Sequence, residues 1–320
     1  MERTFHGRQQ DAQVAAFYSN RPPRAKRHNK SLQPPSAAAE FQRWAALTRS
    51  AFTTMATYVD LNGVRTWFDE TGTGEPLVLL HPGLVDSRAF GPNLQAFAAR
   101  FRTFTPERRG HGHTPDVGPI TFDLMAEDTI HFLERVVGDP VRLLGCSDGA
   151  VVALLVALHR PDLVSRLVFV GGVFHHEGWL PGVIDPNNKP PEFLAASYGE
   201  VSPDGAAHFQ VVAEKLARMH LIEPALTAAD LSKVTSRTLV MLGDDDEVAL
   251  EHALALYRTL PDSELAVIPG TSHGLLVEKP ELCNGIILDF LCNEPVQTLA
   301  PIRRASASLG TRGTNEGAAQ

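Results

Sequence analysis

Short apolar runs alternate with longer amphipathic stretches between residues 57 and 291. Runs of this kind are typical of buried strands, and Asn62-Gly63 between the first two predicts a tight hairpin. Eight strands are predicted, over residues 57–60, 64–70, 76–80, 102–105, 141–144, 167–171, 238–242 and 264–268. Helices are predicted up to residue 100, over 122–137, after the fifth strand, over 249–260 and over 278–291. Strands that alternate with helices predict an α/β fold with a mostly parallel sheet and helices on both faces.

The alternation stops after residue 173. Residues 174–234 are rich in proline, glycine and scattered aromatic residues, and only 204–219 within them has a helical pattern. Because roughly sixty residues without a strand separate two strands, we predict a small helical lid inserted after the sixth strand. The core is then expected over 55–173 and 235–294, with ligands bound beyond the carboxyl ends of the strands.

The two ends of the chain differ from the part between them. Residues 1–54 hold nine Lys and Arg against three Asp and Glu, a net charge of +6. This basic, proline-containing stretch is predicted to be a disordered extension. The alternatives are a transit peptide, a tail that touches phosphate or membrane surfaces, or an upstream start to a gene whose product begins at Met55. Residues 295–320 are predicted to be a second disordered tail.

Composition restricts the class of protein. The chain has 320 residues, of which 43% are hydrophobic and 21% charged, as in ordinary globular proteins. The formal charge of −8 becomes −14 once residues 1–54 are left out, which argues against nucleic-acid binding by the core. No apolar run approaches the length of a membrane span. Three cysteines form no disulfide framework and suit a reducing cytoplasm. We expect a cytoplasmic protein that acts on a small molecule without cofactor or metal, and the oligomeric state stays open.

Gly145-x-Ser147-x-Gly149 joins the fifth strand to an apolar helix. A strand that turns at once into a helix bends sharply, and glycine on both sides of the apex avoids a collision. The hydroxyl of Ser147 is then presented as a nucleophile at a helix N-terminus, where N–H groups point towards developing negative charge. The alternative is that Ser147 merely caps the helix.

A serine hydroxyl needs a base, and a histidine base needs a carboxylate that holds it in one tautomer. His273 is the best-placed histidine, because it lies in a polar loop after the last strand. Four adjacent acids at 244–247 follow the preceding strand, and the pattern alone leaves open which of them is used or whether one caps the next helix. The oxyanion needs backbone donors at Asp148 and in the loop that begins at His81. Since Pro82 has no N–H, the second donor is Gly83 or a later residue.

These motifs resemble those of the α/β-hydrolase superfamily, over residues 57 to about 291. The resemblance rests on the loop at His81, Arg109-Gly110-His111-Gly112, Gly145–Gly149, Gly243-x-x-Asp246 and Gly270-x-x-His273. It implies that Ser147 is the nucleophile, His273 the base and Asp246 the orienting acid. It also implies oxyanion N–H groups at Gly83 and Asp148. Two residues depart from the family pattern. Pro82 replaces a glycine and could reshape the oxyanion loop, and Glu107 replaces an aspartate, which we expect to affect packing.

The resemblance also implies an activity. The Ser147-Asp148-Gly149 run and the small lid are similar to those of amino-acid-ester (valacyclovir-type) hydrolases, in which the acid after the nucleophile is associated with a substrate amine. A buried acid that caps its own helix is the alternative for Asp148. We expect hydrolysis of a small carboxylic ester or lactone through an acyl-enzyme. A cofactor-free C–C bond hydrolase or perhydrolase and a non-catalytic small-ligand binding protein are the alternatives.

Overall fold

The computed structural model describes residues 57–185, 189–296 and 298–300. The predicted extension over 1–54 and most of the predicted tail over 295–320 lie outside these residues. All eight predicted strands are present: Thr57–Leu61 (β1), Val64–Thr71 (β2), Pro76–Leu80 (β3), Arg102–Pro106 (β4), Val141–Cys146 (β5), Val164–Val170 (β6), Arg237–Gly243 (β7) and Ser263–Ile268 (β8). They form one sheet in the order β1-β2-β4-β3-β5-β6-β7-β8. The pairs β1–β2 and β2–β4 are antiparallel and all other pairs are parallel, which confirms the predicted sheet.

Nine α-helices lie within the described part of the chain. They are Gly91–Ala98 (α1), Phe122–Phe132 (α2), Asp148–His159 (α3), Glu192–Val201 (α4), Phe209–His220 (α5), Ala228–Leu231 (α6), Leu250–Thr259 (α7), Leu275–Glu278 (α8) and Pro280–Cys292 (α9). A π-helical turn over Leu133–Val137 extends α2 to its predicted end. The helix predicted over 278–291 is observed as α9, which begins at Pro280 because Lys279 precedes a proline and leaves the helical region at φ −136° and ψ 61°. The short α8, which ends at Glu278, was not predicted. The helix predicted from residue 204 begins only at Phe209.

Two apolar layers flank the sheet. Successive side chains of β3 point to opposite layers, Val78 and Leu80 to one and Leu77 and Leu79 to the other. The first layer contains buried residues of α2, α3 and α7, and the second contains those of α1 and α9. Burial on both faces explains why the strands are continuous apolar runs.

A helical segment follows β6, as predicted. It contains α4, α5 and α6. Two isolated β-bridges connect the residues before α4 to other loops: His175 pairs with Ala225 before α6, and Trp179 pairs with Val248 after β7. The sequence pattern missed α4 and α6, although Thr227 and Asp230 form a capping box at the start of α6. The division into core and lid at residues 174 and 234 stays a prediction, since buried residues of α5 belong to the same apolar layer as α2 and α3. In the described ranges, none of the helices has the length and hydropathy of a membrane span.

Candidate active site

Ser147 occupies a strained turn between β5 and α3. Its φ is 54° and its ψ −120°, a region that non-glycine residues rarely adopt. A Cβ at Gly145 would lie 2.1 Å from the carbonyl oxygen of Gly149, and a Cβ at Gly149 would lie 2.0 Å from that of Leu80. The need for both glycines is therefore confirmed. The Ser147 side chain makes no capping hydrogen bond to α3, so it does not act as a helix cap.

The structure brings three of the predicted site residues together. The Oγ of Ser147 lies 2.9 Å from Nε2 of His273, and Nδ1 of His273 lies 2.8 Å from Oδ1 of Asp246. These residues follow β5, β8 and β7 respectively, so the carboxyl ends of three parallel strands carry them to one place. Because Nδ1 donates to the carboxylate, Nε2 is left as an acceptor for the serine hydroxyl when the ring is neutral.

Among the four adjacent acids, burial and hydrogen bonding single out Asp246. It is 7% exposed, whereas its neighbours Asp244, Asp245 and Glu247 are exposed. The backbone N–H of Gly243 donates to its Oδ2 at 3.0 Å, and the N–H of Val248 donates to its Oδ1 at 3.1 Å. With His273, three donors thus converge on one carboxylate, which holds it in a single orientation.

Burial and charge oppose each other in this pair. Burial favours the neutral form of both groups. For Asp246 the hydrogen bonds from His273, Gly243 and Val248 outweigh burial and lower the pKa of the carboxyl. For His273 the hydrogen bond and charge of Asp246, together with the charges of Glu247 and Asp148, outweigh burial and raise the pKa of the imidazole. The arrangement therefore stabilises the imidazolium that forms when the ring takes a proton.

Two residues that the motifs did not indicate support the imidazole. Gly171 follows β6 at φ 57°, and a Cβ there would lie 3.2 Å from Nδ1 and Cε1 of His273. Trp179 packs edge-on against the same ring, with centroids 5.9 Å apart. The sequence shows a glycine at the end of the sixth predicted strand. It does not show that this glycine packs against His273.

The two predicted oxyanion donors border one cavity with Ser147. The N–H groups of Gly83 and Asp148 donate to no acceptor within the described ranges. A Cβ at Gly83 would lie 2.2 Å from Oδ2 of Asp148, so glycine at this position leaves room for the buried carboxylate. Leu84, the next residue, has a φ of 60°. The geometry leaves these N–H groups available to an oxygen at the serine.

Asp148 has a partner that the sequence did not reveal. Its side chain is 2% exposed, and its Oδ1 lies 2.7 Å from Nε2 of His220 at the end of α5. Burial opposes both charges, yet His220 and the nearby Arg108 lower the pKa of Asp148 and Asp148 raises the pKa of His220. The other carboxylate oxygen, Oδ2, is buried and has no hydrogen-bond partner in the part of the chain that the structure describes. The pair joins the lid to the residue after the proposed nucleophile.

Glu107 is buried in the packing of two loops, in keeping with the expectation for this residue. It accepts hydrogen bonds from the hydroxyl of Ser87 at 2.7 Å and from Nδ1 of His113 at 3.0 Å. A Cβ at Gly112 would lie 2.2 Å from its Oε2. It thus ties the loop after β4 to the turn before α1.

A cavity of about 760 Å³ opens above Ser147 between the core and the lid. Trp179 is the lid aromatic that lines it, whereas Tyr198 and Phe209 are buried in the apolar layer. The charged residues along its wall are mainly acidic: Asp148, Asp185, Glu214 and Glu247, against Lys189 and the two histidines with raised pKa values, His220 and His273. Within the described ranges, no three side chains of His, Cys, Asp or Glu are grouped so as to hold a metal ion.

Comparisons with known proteins agree with this architecture. The profile of the alpha/beta hydrolase family matches residues 77–285. RutD of Agrobacterium fabrum, a provisionally named carbamate hydrolase, is 27% identical over 69% of this chain and 95% of its own length. The human serine hydrolase BPHL is 27% identical over 73% of this chain and 85% of its own. The carboxylesterase CesB of Bacillus subtilis has the same fold, with a TM-score of 0.64 at 22% identity over 80% of this chain and 97% of that one.

Proposed function

Since the chain belongs to the α/β-hydrolase family, we propose that it is a serine hydrolase that cleaves a small carboxylic ester or lactone. One observation carries the proposal. Ser147, His273 and Asp246 form a continuous hydrogen-bonded chain, with distances of 2.9 and 2.8 Å, at the base of a cavity. A hydroxyl held by a neutral imidazole in this way is the arrangement that activates serine.

The proposed reaction has two halves. The Oγ of Ser147 attacks the substrate carbonyl carbon while Nε2 of His273 takes the hydroxyl proton, and the charge of Asp246 stabilises the resulting imidazolium. The carbonyl oxygen becomes an oxyanion, which the N–H groups of Gly83 and Asp148 bind. The imidazolium then donates its proton to the leaving alkoxide. Water attacks the acyl-enzyme by the same route in reverse, which releases the acid and restores Ser147.

The pH dependence follows from the base. His273 acts only when it is neutral, so activity rises as pH passes through its pKa. Because Asp246 raises this pKa above its ordinary value of 6.5, we expect the rise in kcat/KM to be centred above pH 6.5. A rate that stays flat from about pH 5 to pH 8 would argue against His273 as the base.

A fluorophosphonate probe tests the proposal directly. Labelling should occur in the wild type, map to Ser147 by mass spectrometry and disappear in Ser147→Ala, with kcat on an ester panel falling about a thousandfold or more. Ser232→Ala is the matched control, because Ser232 is exposed and its hydroxyl donates to the carbonyl of Ala229. If the wild type is not labelled, a non-catalytic small-ligand binding protein becomes the better account.

The chemistry of the bond needs a panel. Esters, lactones and carbamates should be compared with diketone cleavage and with peroxide-dependent halogenation, which report C–C bond hydrolysis and perhydrolysis on the same residues. We expect turnover of small esters or lactones to be the fastest. We further propose a cytoplasmic location, which the three unpaired cysteines support.

A cationic substrate is the finer proposal within this class. The acidic cavity wall and the Oδ2 of Asp148, which has no hydrogen-bond partner among the described residues, support recognition of an amine, whereas the burial of this oxygen opposes such recognition. His220 opposes it, since it already pairs with the other oxygen of Asp148. We expect amino-acid esters to be cleaved with a higher kcat/KM than neutral esters of equal size, and Asp148→Asn to remove the preference. Equal kcat/KM values for both substrates in the wild type would contradict this proposal.

A further inference from the structure

The guanidinium of Arg108 lies buried behind the loop that follows β3. Its Nη1 donates to the carbonyl of His81, and its Nη2 donates to the carbonyl of Pro82 at 3.0 Å. Arg108 is 5% exposed, and in the part of the chain that the structure describes it makes no ion pair. Its neighbour Arg109 is equally buried but pairs with Asp128 at 2.7 Å. A buried cation that binds only carbonyls is costly, so its placement calls for a reason.

The His81 side chain also contributes a hydrogen bond to the carbonyl of Pro82. The backbone N–H of Arg108 donates to Nε2 of His81 at 3.2 Å, so the proton of the neutral ring is on Nδ1. Nδ1 lies 2.7 Å from the carbonyl oxygen of Pro82 and donates to it. Burial and the charge of Arg108 hold the pKa of His81 well below its usual range, so the ring stays neutral. The Pro82 carbonyl therefore receives two hydrogen bonds, one of them from a cation.

Peptide geometry links this carbonyl to the reaction site. The Pro82–Gly83 bond is trans, and in a trans peptide the C=O and N–H point in opposite directions. Donors that hold the Pro82 oxygen behind the loop thus direct the Gly83 N–H to the other side, where Gly83 lines the cavity with Ser147. A cation on the carbonyl also polarises the peptide, which makes its N–H a stronger donor.

Charge gives Arg108 a second effect at the same place. The carboxylate of Asp148 is packed against Gly83, where its negative charge would oppose an oxyanion. Asp148 and Arg108 interact electrostatically, although burial dominates and lowers the pKa of Arg108 to about 10. His220 pairs directly with this carboxylate, and Arg108 adds a second positive charge from behind the loop.

We propose that Arg108 is the positioning residue of the oxyanion site: it fixes and polarises the Pro82–Gly83 peptide through the carbonyls of His81 and Pro82. This inference rests on the proposed function. The fixed φ of Pro82 restricts the segment, and one guanidinium fork holds the carbonyls of His81 and Pro82.

Steady-state kinetics of Arg108→Met and Arg108→Lys test the proposal. The first variant removes the charge, and the second keeps it but replaces the fork by a point charge. We expect kcat to fall about 10- to 100-fold in both, with KM changed less than about threefold, because an oxyanion donor acts in the transition state. Arg109→Lys is the matched control and should lower Tm while leaving kcat unchanged.

A trifluoromethyl ketone provides a readout that general loosening of the fold would not move. It adds to the serine to form a hemiketal whose oxygen occupies the oxyanion site, and the pH dependence of its ¹⁹F shift reports the pKa of that oxygen. Arg108→Met should raise this pKa relative to the wild type, and Arg109→Lys should not.

A folded Arg108→Met or Arg108→Lys variant with wild-type kcat and hemiketal pKa would overturn the role of Arg108 alone. So would a rise in KM at constant kcat, which would indicate substrate binding instead. A wild type that neither forms the adduct nor reacts with the fluorophosphonate would overturn the proposed function, and the role of Arg108 with it.

Discussion

Replacing Asp246 by asparagine tests the proposed acid at nearly constant volume. The carboxylate accepts from three donors: His273 and Val248 at Oδ1, and Gly243 at Oδ2. An amide has only one acceptor oxygen, so its NH₂ group must face at least one of these donors. With the amide oxygen at the Oδ1 position, the NH₂ opposes the N–H of Gly243. With the amide reversed, it opposes the N–H of Val248 and forces His273 into the tautomer with its proton on Nε2.

These two orientations set the expected magnitudes. Either one leaves a buried N–H of the protein unsatisfied, which should lower the free energy of unfolding by about 1–3 kcal/mol. In the first orientation His273 keeps its tautomer and loses only the charge that stabilises its imidazolium. In the second it has no lone pair facing Ser147. We therefore expect kcat to fall by about 10² to 10⁴, the larger value if the reversed amide dominates.

The pH profile tests independently in which direction the charge of Asp246 shifts the pKa of His273. In the wild type Asp246 raises the pKa of His273 against burial. Without that charge burial prevails and the pKa falls, so the residual kcat/KM of Asp246→Asn should reach half its plateau at a lower pH than the wild type. Hydrolysis of a chromogenic ester between about pH 4 and pH 9 measures both kcat and the pH midpoint of kcat/KM.

Asp245→Asn is the control, because Asp245 is adjacent and exposed and should leave both quantities unchanged. A folded Asp246→Asn variant with kcat within about threefold of the wild type would refute the role of the acid. An unshifted or raised midpoint would refute the electrostatic part of the reasoning.

Two further predictions concern stability. Gly149→Ala should unfold the turn or abolish activity, since its Cβ would meet the Leu80 carbonyl at 2.0 Å. Gly285→Ala, on an open helix face, should instead raise the free energy of unfolding by about 0.5–1 kcal/mol, as measured by denaturant titration. The His220–Asp148 pair combines a raised histidine pKa with a lowered aspartate pKa, so its stabilisation is complete between pH 3.8 and 6.5 and is lost as pH rises through the His220 pKa. His220→Gln should therefore lower Tm more at about pH 5.5 than at about pH 9.5, and a deficit that grows with pH would contradict this sign.

Local physics made much of the fold predictable from the sequence. A strand buried on both faces reads as a continuous apolar run, so β3, β5 and β7 could be placed within two residues of their observed bounds. The sharp turn at Ser147 was predictable because the collision that its glycines avoid lies largely within five residues of chain. The capping box at Thr227 was equally local, but its short helix has too few apolar positions to show a period.

The order of strands and helices along the chain and the turn that presents Ser147 follow from the sequence alone, and the family resemblance adds the proposal that His273 and Asp246 are its partners. The pairing of His220 with Asp148, 72 positions away, and the hold of Arg108 on the loop of His81, 27 positions away, arise only in the folded chain. No periodicity or turn rule encodes such pairs, because their contacts arise only when separate elements pack. The local sequence therefore specifies which groups are offered for chemistry, and long-range packing specifies the charge and direction with which they face the substrate.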